Sequence, residues 1–260
     1  MHRIVRYRGG SFESLELPVV EEQSLTIFVN GRELATLQCT PIKLDCLVLG
    51  FLSFEGIIQD LDEIKLLEVF PEDAVADVRL NKKFTPPPRR IFTSGCTGGV
   101  TFGMPMEGFQ AFPAEATLHP EQAFALMKQL YAEARLYRES RGIHAAAMSD
   151  KEKLLLVAED VGRHNALDKI LGEALLRGIP TAGNILLSTG RISSEMLRKG
   201  AHMRTPFVIS RTSPTSLAVQ AAKRFGITVI GYVRGEGFNV YTHPERLVPL
   251  RTEVSNLSGT

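Results

Sequence analysis

No stretch of this 260-residue chain approaches the roughly 18 consecutive apolar residues that a helix needs to span a bilayer. The first residues, Met1-His2-Arg3-Ile4-Val5-Arg6-Tyr7-Arg8, are basic but lead into no apolar signal core. Charge of one sign is missing too. The formal net charge is +1, so no whole-protein field draws in nucleic acid or an anionic membrane. Any anion-binding site must be a local cluster. Cysteine is scarce: Cys39, Cys46 and Cys96 make an odd number without regular spacing, which argues against a disulfide framework and for a reducing compartment. The chain also lacks internal repeats and low-complexity tracts. A cytoplasmic globular protein is the expectation, built as one large domain or as a small domain plus a larger one.

What is present begins with Cys96. In Thr93-Ser94-Gly95-Cys96-Thr97-Gly98-Gly99 the thiol stands among three glycines, downstream of Pro86-Pro87-Pro88-Arg89-Arg90. Free cysteines are usually small buried hydrophobes. This one has no adjacent apolar residue to pack with, and its glycines open conformations closed to other residues. The arginines favour thiolate over thiol, so Cys96 is the candidate catalytic nucleophile. Cys39 and Cys46 read instead as packed thiols, Cys46 on a helix.

Periodicity divides the chain in three. Leu25–Val29 alternates like a strand, Asn30-Gly31 supplies a hairpin turn, and Leu34–Gln38 returns. Leu44, Leu47, Val48 and Phe51 form a helical face over Leu44–Glu55, stopped by Gly56. With short strands at Ile64–Val69 and Val75–Leu80, residues 1–81 read as a small α+β module. Residues 82–117 are aperiodic and carry Cys96, a linker with chemistry on it. Residues 118–260 alternate strands and helices. Pro120 opens a helix with Phe124, Met127, Tyr131 and Ala134 on one face. Strands follow at Ile143–Met148, Leu154–Ala158, Ile185–Leu187, Phe207–Ile209 and Ile227–Val233. Between them come helices around Leu167–Leu175, Ser193–Lys199 and Ala218–Phe225. A largely parallel sheet covered on both faces follows.

Ligands of open α/β sheets bind beyond the carboxyl ends of the strands. Three such ends are polar here. They are Glu159-Asp160-Val161-Gly162-Arg163-His164-Asn165, Ser188-Thr189-Gly190-Arg191-Ile192-Ser193-Ser194-Glu195, and Arg234-Gly235-Glu236-Gly237. The first two run into helix N-termini, which attract anions. Arg163, Arg191 and Arg234 add forked donors suited to phosphate. A crevice for a phosphorylated ligand is the combined reading. Other chemistries are excluded by what is lacking. His164-Asn165-Ala166 has no glutamate two residues on, and no cysteine follows Cys96, so the zinc deaminase signature is missing. No metal site is expected. Ser188, Ser193 and His164 lack a nucleophile elbow, so the serines read as helix caps. The glycines Gly235 and Gly237 open no dinucleotide-type helix.

The block Glu159–Lys169 closely resembles the signature of the FdhD/NarQ family, the formate dehydrogenase accessory sulfurtransferases. So do Gly142–Ala147, Thr189–Met196, Tyr241–Leu247 and Phe51–Ile58. The resemblance implies a cytidine-deaminase-like three-layer α/β/α domain with a mainly parallel or mixed sheet and no deaminase zinc. It implies a sulfur carrier that moves sulfur, as a Cys96 persulfide, from a cysteine desulfurase to the molybdenum bis(molybdopterin guanine dinucleotide) cofactor of formate dehydrogenase. The stretch Tyr232, Val233, Arg234, Gly235, Glu236 and Gly237 matches the family's cofactor-binding loop. One departure stands out: many members carry a second cysteine where this chain has Gly99. A single persulfide can still relay sulfur by attack and release. A cofactor chaperone without sulfur chemistry is the alternative, and a deaminase-like hydrolase a weaker third. The sequence leaves the oligomeric state open, a homodimer included.

Overall fold

The computed structural model describes residues 1–86, 91–92, 100–101, 111–112 and 115–248; Cys96 lies outside them. The chain opens with a hairpin, β1 (His2–Arg8) and β2 (Ser11–Leu17), joined by Gly9 and Gly10, both at positive φ. The glycine pair is a hairpin signal. Its arginine-rich first strand has no clean alternation, and sequence reading missed it. A four-stranded sheet follows in the order β4-β3-β6-β5, from β3 (Gln23–Val29), β4 (Arg32–Cys39), β5 (Ile64–Phe70) and β6 (Val75–Leu80). Asn30 and Gly31 turn β3 into β4 with φ of 50° and 76°, as a two-residue loop requires.

Every residue of helix α1 (Leu44–Phe54) except Asp45 is buried. Leu44, Leu47, Val48 and Phe51 join the core of the four-stranded sheet, while Phe54 joins the core beyond. What covers the opposite face is α4 (Arg163–Leu176), at backbone contact. A Cβ on Gly50 would lie 1.8 Å from the Asp168 carbonyl oxygen, and one on Gly172 1.9 Å from that of Cys46. Only glycine permits this crossing.

The short pair β7 (Ile91–Phe92) and β8 (Val100–Thr101) flanks the Cys96 segment. Beyond it come α2 (Pro120–Glu133), α3 (Arg135–Ser140), β9 (His144–Ser149) and β10 (Leu154–Asp160), then α4 and β11 (Ile185–Ser188). Helix α5 (Ser194–His202), β12 (Phe207–Ser210), α6 (Ser216–Phe225), β13 (Thr228–Arg234) and β14 (Gly237–Val240) complete the chain. The six-stranded sheet has the order β10-β9-β11-β12-β13-β14. Alternate residues face opposite layers. Ile185 and Leu187 pack under α2 with Leu126 and Leu130, whereas Leu186 packs under α4 to α6 with Leu167 and Ala222.

The sheet is mixed, and only β11, β12 and β13 are mutually parallel neighbours. The largely parallel sheet expected from alternation is thereby corrected. Residues 150–153 and 235–236 are too short for the crossover that parallel neighbours need, so β9–β10 and β13–β14 are antiparallel hairpins. A second correction concerns α2. It buries Ala123, Leu126, Met127 and Leu130, which leaves Phe124 and Tyr131 only half-buried. No helix among the described residues is long and apolar enough to cross a membrane.

Candidate functional site at the carboxyl ends of the strands

Because β9 runs against both β10 and β11, the carboxyl ends of β10, β11, β12 and β13 all lie on one edge. Two polar features occupy that edge, one on each side of β11.

On the α2 side is a cavity of about 410 Å³, lined by Phe124, Tyr131, Tyr137, Thr189, Arg211 and Arg234 among others. The Arg211 guanidinium lies 5.8 Å from the Tyr131 ring centre, and Arg141 sits over Tyr131 and Tyr137 at 5.3 and 5.9 Å. These are cation–π distances. Arg234 rests 5.7 Å from the Tyr232 ring, and its Nε donates to the Arg211 carbonyl at 3.2 Å. A bulge makes this corner. The β13–β14 register shifts between Gly231 and Arg234, and Tyr232 adopts φ of 56°. A Cβ at Gly231 would meet the Thr212 carbonyl at 2.8 Å, so glycine is required there. Left-handed backbone at a bulky residue is strained, and such strain collects where a side chain is re-aimed. Tyr137 is positioned from across the sheet: Glu159 accepts from the backbone N–H groups of Leu136 and Tyr137 at 3.2 and 2.7 Å, capping α3.

On the other side, the first turns of α4 and α5 bring Arg163, His164 and Glu195 together. Gly190, two residues past the end of β11, lies against them. A Cβ there would lie 3.0 Å from Arg163 Cβ and 3.1 Å from His144 Nδ1. His164 Nδ1 is 3.4 Å from Glu195 Oε1, and Lys199 Nζ is 2.5 Å from Asp168 Oδ1. Burial lowers the His164 pKa well below the ordinary histidine value, helped by Lys199, Arg163, His144 and Arg191. Burial likewise raises Glu195 above the usual carboxylate value, against the pull of Lys199.

Most of the Glu159–Lys169 block holds this crevice up rather than lining it. Asp160 and Lys169, both fully buried, pair at 2.6 Å. Asp160 also accepts from Thr40 N at 3.1 Å, Gly162 N at 2.8 Å and Asn165 Nδ2 at 2.9 Å. Lys169 donates to the Thr40 carbonyl at 2.9 Å. The start of α4 is thus tied to the end of β4. The serines are structural: Ser193 Oγ accepts from Met196 N as the cap of α5, and Ser188 Oγ accepts from Gly190 N.

Of the residues singled out from sequence, Arg163, His164 and Arg191 gather at the crevice. Val233, Arg234 and Gly235 line the cavity, while Glu236 lies exposed in the β13–β14 turn and Gly237 begins β14. Cys96 falls outside the described residues. Cys39 and Cys46 are buried and free, and burial pushes both thiols up to about 12, so neither supplies a thiolate near neutral pH. Sequence reading missed Tyr131, Tyr137, Arg141 and Arg211. The first had been placed on the core face of α2. Tyr137 lies within α3, Arg141 just after it and Arg211 just after β12, and none of the three belongs to a recognised motif.

A mixed α/β protein with an arginine- and tyrosine-lined cleft at its strand ends is what fold and site define. The chain belongs to the FdhD/NarQ family, whose model matches residues 20–248. It is 40% identical over 251 residues to the sulfur carrier protein FdhD of Bacillus subtilis (strain 168), covering 93% of this chain and 95% of that one. The Bacillus pumilus (strain SAFR-032) protein of the same name is 41% identical over 253 residues, with 94% and 95% covered. Among solved structures, that of a proposed formate dehydrogenase accessory protein from Desulfotalea psychrophila superimposes with a TM-score of 0.77 at 29% identity. That match covers 95% of this chain and 98% of the other.

Proposed function

We propose that this protein is a sulfur carrier for the maturation of formate dehydrogenase. Cys96 receives sulfur from a cysteine desulfurase, and the cargo is a molybdenum cofactor bearing guanine nucleotides. In the loading step the Cys96 thiolate attacks the outer sulfur of the desulfurase persulfide. A Cys96 persulfide forms, and the desulfurase cysteine leaves as thiolate. Each side keeps its electron count, so no outside oxidant is needed. In the hand-over Cys96 leaves as thiolate, and the outer sulfur becomes sulfide on the molybdenum of the cargo with two electrons from a small cellular thiol, which is oxidised to its disulfide.

The observation that carries the cargo half of this reading is the cavity beside Arg211 and Arg234. Flat tyrosine rings offer stacking faces to a purine, and two guanidinium groups at one rim offer forked donors to phosphate. The sulfur half is supported by the relatives' shared name and by the setting of Cys96 in the sequence. With Gly99 in the loop and Cys39 and Cys46 buried, no second thiol among the described residues is ready to resolve the persulfide. This favours direct hand-over, and it is also what keeps a second reading alive, a cofactor chaperone without sulfur chemistry.

One experiment separates them. The protein is incubated with a desulfurase and cysteine, and the Cys96 peptide is weighed by mass spectrometry. One added sulfur atom is expected, lost on treatment with a reducing thiol. An unmodified peptide, with formate dehydrogenase maturation intact in Cys96→Ala, would leave the chaperone.

A further inference from the structure

Among the described residues, His164 is a buried side chain with both of its polar atoms left without a hydrogen bond. The residue is 7% exposed, and neither ring nitrogen has a hydrogen-bond partner among the described residues. Buried polar atoms are nearly always paired, and one left alone forfeits its hydration without return. Glu195 Oε1, 3.4 Å from Nδ1, lies within ion-pair range without forming a hydrogen bond. A neutral imidazole has a single N–H, whereas an imidazolium has two. Protonated, His164 would donate from Nδ1 to Glu195 and have Nε2–H left for an anion. Both orphaned nitrogens would then be satisfied at once.

The surroundings explain why the ring is not protonated beforehand. Arg163 stands on its own helix, Lys199 on α5, Arg191 on the segment before α5, and His144 at the start of β9; all four oppose a further positive charge. Facing them are Glu195 on α5, Asp168 on α4, Asp160 at the end of β10 and Glu55 at the end of α1. Lys199 holds Asp168, and Lys169 holds Asp160. Glu195 is therefore the carboxylate in contact with the ring. An incoming anion cancels part of the cationic field, and the balance tips toward imidazolium.

We propose, resting on the cargo reading above, that the crevice between the first turns of α4 and α5 is a second phosphate subsite, in which His164 takes up one proton as an esterified phosphate enters. Thr189 lines the aromatic cavity, and the next residue, Gly190, lies against Arg163 and His144. A ligand with its base in the cavity thus has its phosphates at the strand end that both features share. The sign follows from linkage. His164 is neutral in the free protein and charged in the complex, so affinity is greatest at low pH. It falls as pH rises from the free-state pKa to the bound-state pKa, by up to about tenfold per pH unit for one proton, and levels off above the latter.

The test uses two guanosines joined through an esterified pyrophosphate, a probe whose phosphates do not titrate near neutrality. Binding to the full chain is measured calorimetrically from about pH 6 to pH 8, in buffers of differing ionisation enthalpy. Uptake approaching one proton is expected in the wild type, with none in His164→Gln. Arg234→Ala should bind more weakly at every pH while keeping the proton count. Should His164→Gln fail to fold, Glu195→Gln replaces it, with uptake expected to drop. Tight binding without proton uptake in the wild type, or uptake persisting in the variants, overturns the subsite. If the probe does not bind at all, the cargo reading itself fails, and the proton assignment fails with it.

Discussion

The cavity and the crevice handle charge in opposite ways. Around the cavity, Arg141, Arg211 and Arg234 stay partly or wholly exposed, and each stacks on a tyrosine. In the crevice, His164, Asp168 and Lys199 are nearly or fully buried beside the half-buried Glu195, and burial displaces the titration of His164 and Glu195. Stacked surface arginines can be changed without disturbing the core beneath them. A buried polar set cannot, because its members are also the joints of the fold. Ligand contact on one side and fold integrity on the other should therefore separate by mutation.

The sharpest break is expected at Lys169. It is fully buried, pairs with Asp160 at 2.6 Å and donates to the Thr40 carbonyl. Removing one partner leaves the other as an uncompensated buried charge. Lys169→Met should cost about 3–5 kcal/mol in denaturant unfolding. The double variant Asp160→Asn with Lys169→Met should recover part of that loss, since no lone charge remains. A Lys169→Met protein as stable as the wild type would show that the pair does not hold the crevice.

How much of this was legible beforehand depends on the residue. Elements with strong periodicity, such as α1 with its glycine stop and α4 along its apolar stripe, are legible in the sequence, because an apolar face repeats whatever it packs against. The strand-end polar runs were visible for the same reason, as interruptions of apolar strands. Direction was not legible: β9 and β10 read as two members of a parallel series until the four residues between them proved to be a hairpin. Nor could the sequence separate support from site inside Glu159–Lys169. Asp160, Asn165 and Lys169 bind backbone groups of β4 or its flank some 120 positions away in the chain, a partner no local pattern encodes. Tyr131 misled for a related reason. On α2 it falls on the helical face predicted to be core, yet the helix buries Ala123, Leu126, Met127 and Leu130, and the Tyr131 ring meets Arg141 and Arg211 instead.

The cavity side should give the next largest effect, and in the opposite observable. Arg211→Ala and Arg234→Ala each remove a charged donor from the rim. Each should weaken binding of the guanosine pyrophosphate probe by about tenfold or more. Stability should stay within about 0.5 kcal/mol of the wild type, as for other surface substitutions. Arg234 is the more exposed of the two, but its Nε bond to the Arg211 carbonyl ties the two strand ends together. Arg211→Ala leaves that backbone carbonyl in place, so the double variant should lose about the product of the single effects. Equal losses of stability and affinity would collapse the distinction between the two sides.

The finest test concerns the tyrosine rings. Tyr131 meets Arg141 in two ways, through the ring face at 5.3 Å and through its hydroxyl, which accepts from Arg141 Nη2 at 2.5 Å. Tyr131→Phe keeps the face and loses the hydroxyl bond, whereas Tyr131→Leu loses both. Cation–π contacts at exposed sites are worth about 0.5–1 kcal/mol, so Tyr131→Leu should weaken probe binding about two- to fivefold. Tyr131→Phe should stay closer to the wild type, because a guanidinium freed from the hydroxyl is rehydrated. The ordering matters more than the size. If the phenylalanine variant is the weaker binder, the ring's role is to aim Arg141 through its hydroxyl, and the cavity is built on hydrogen bonding rather than on stacked faces.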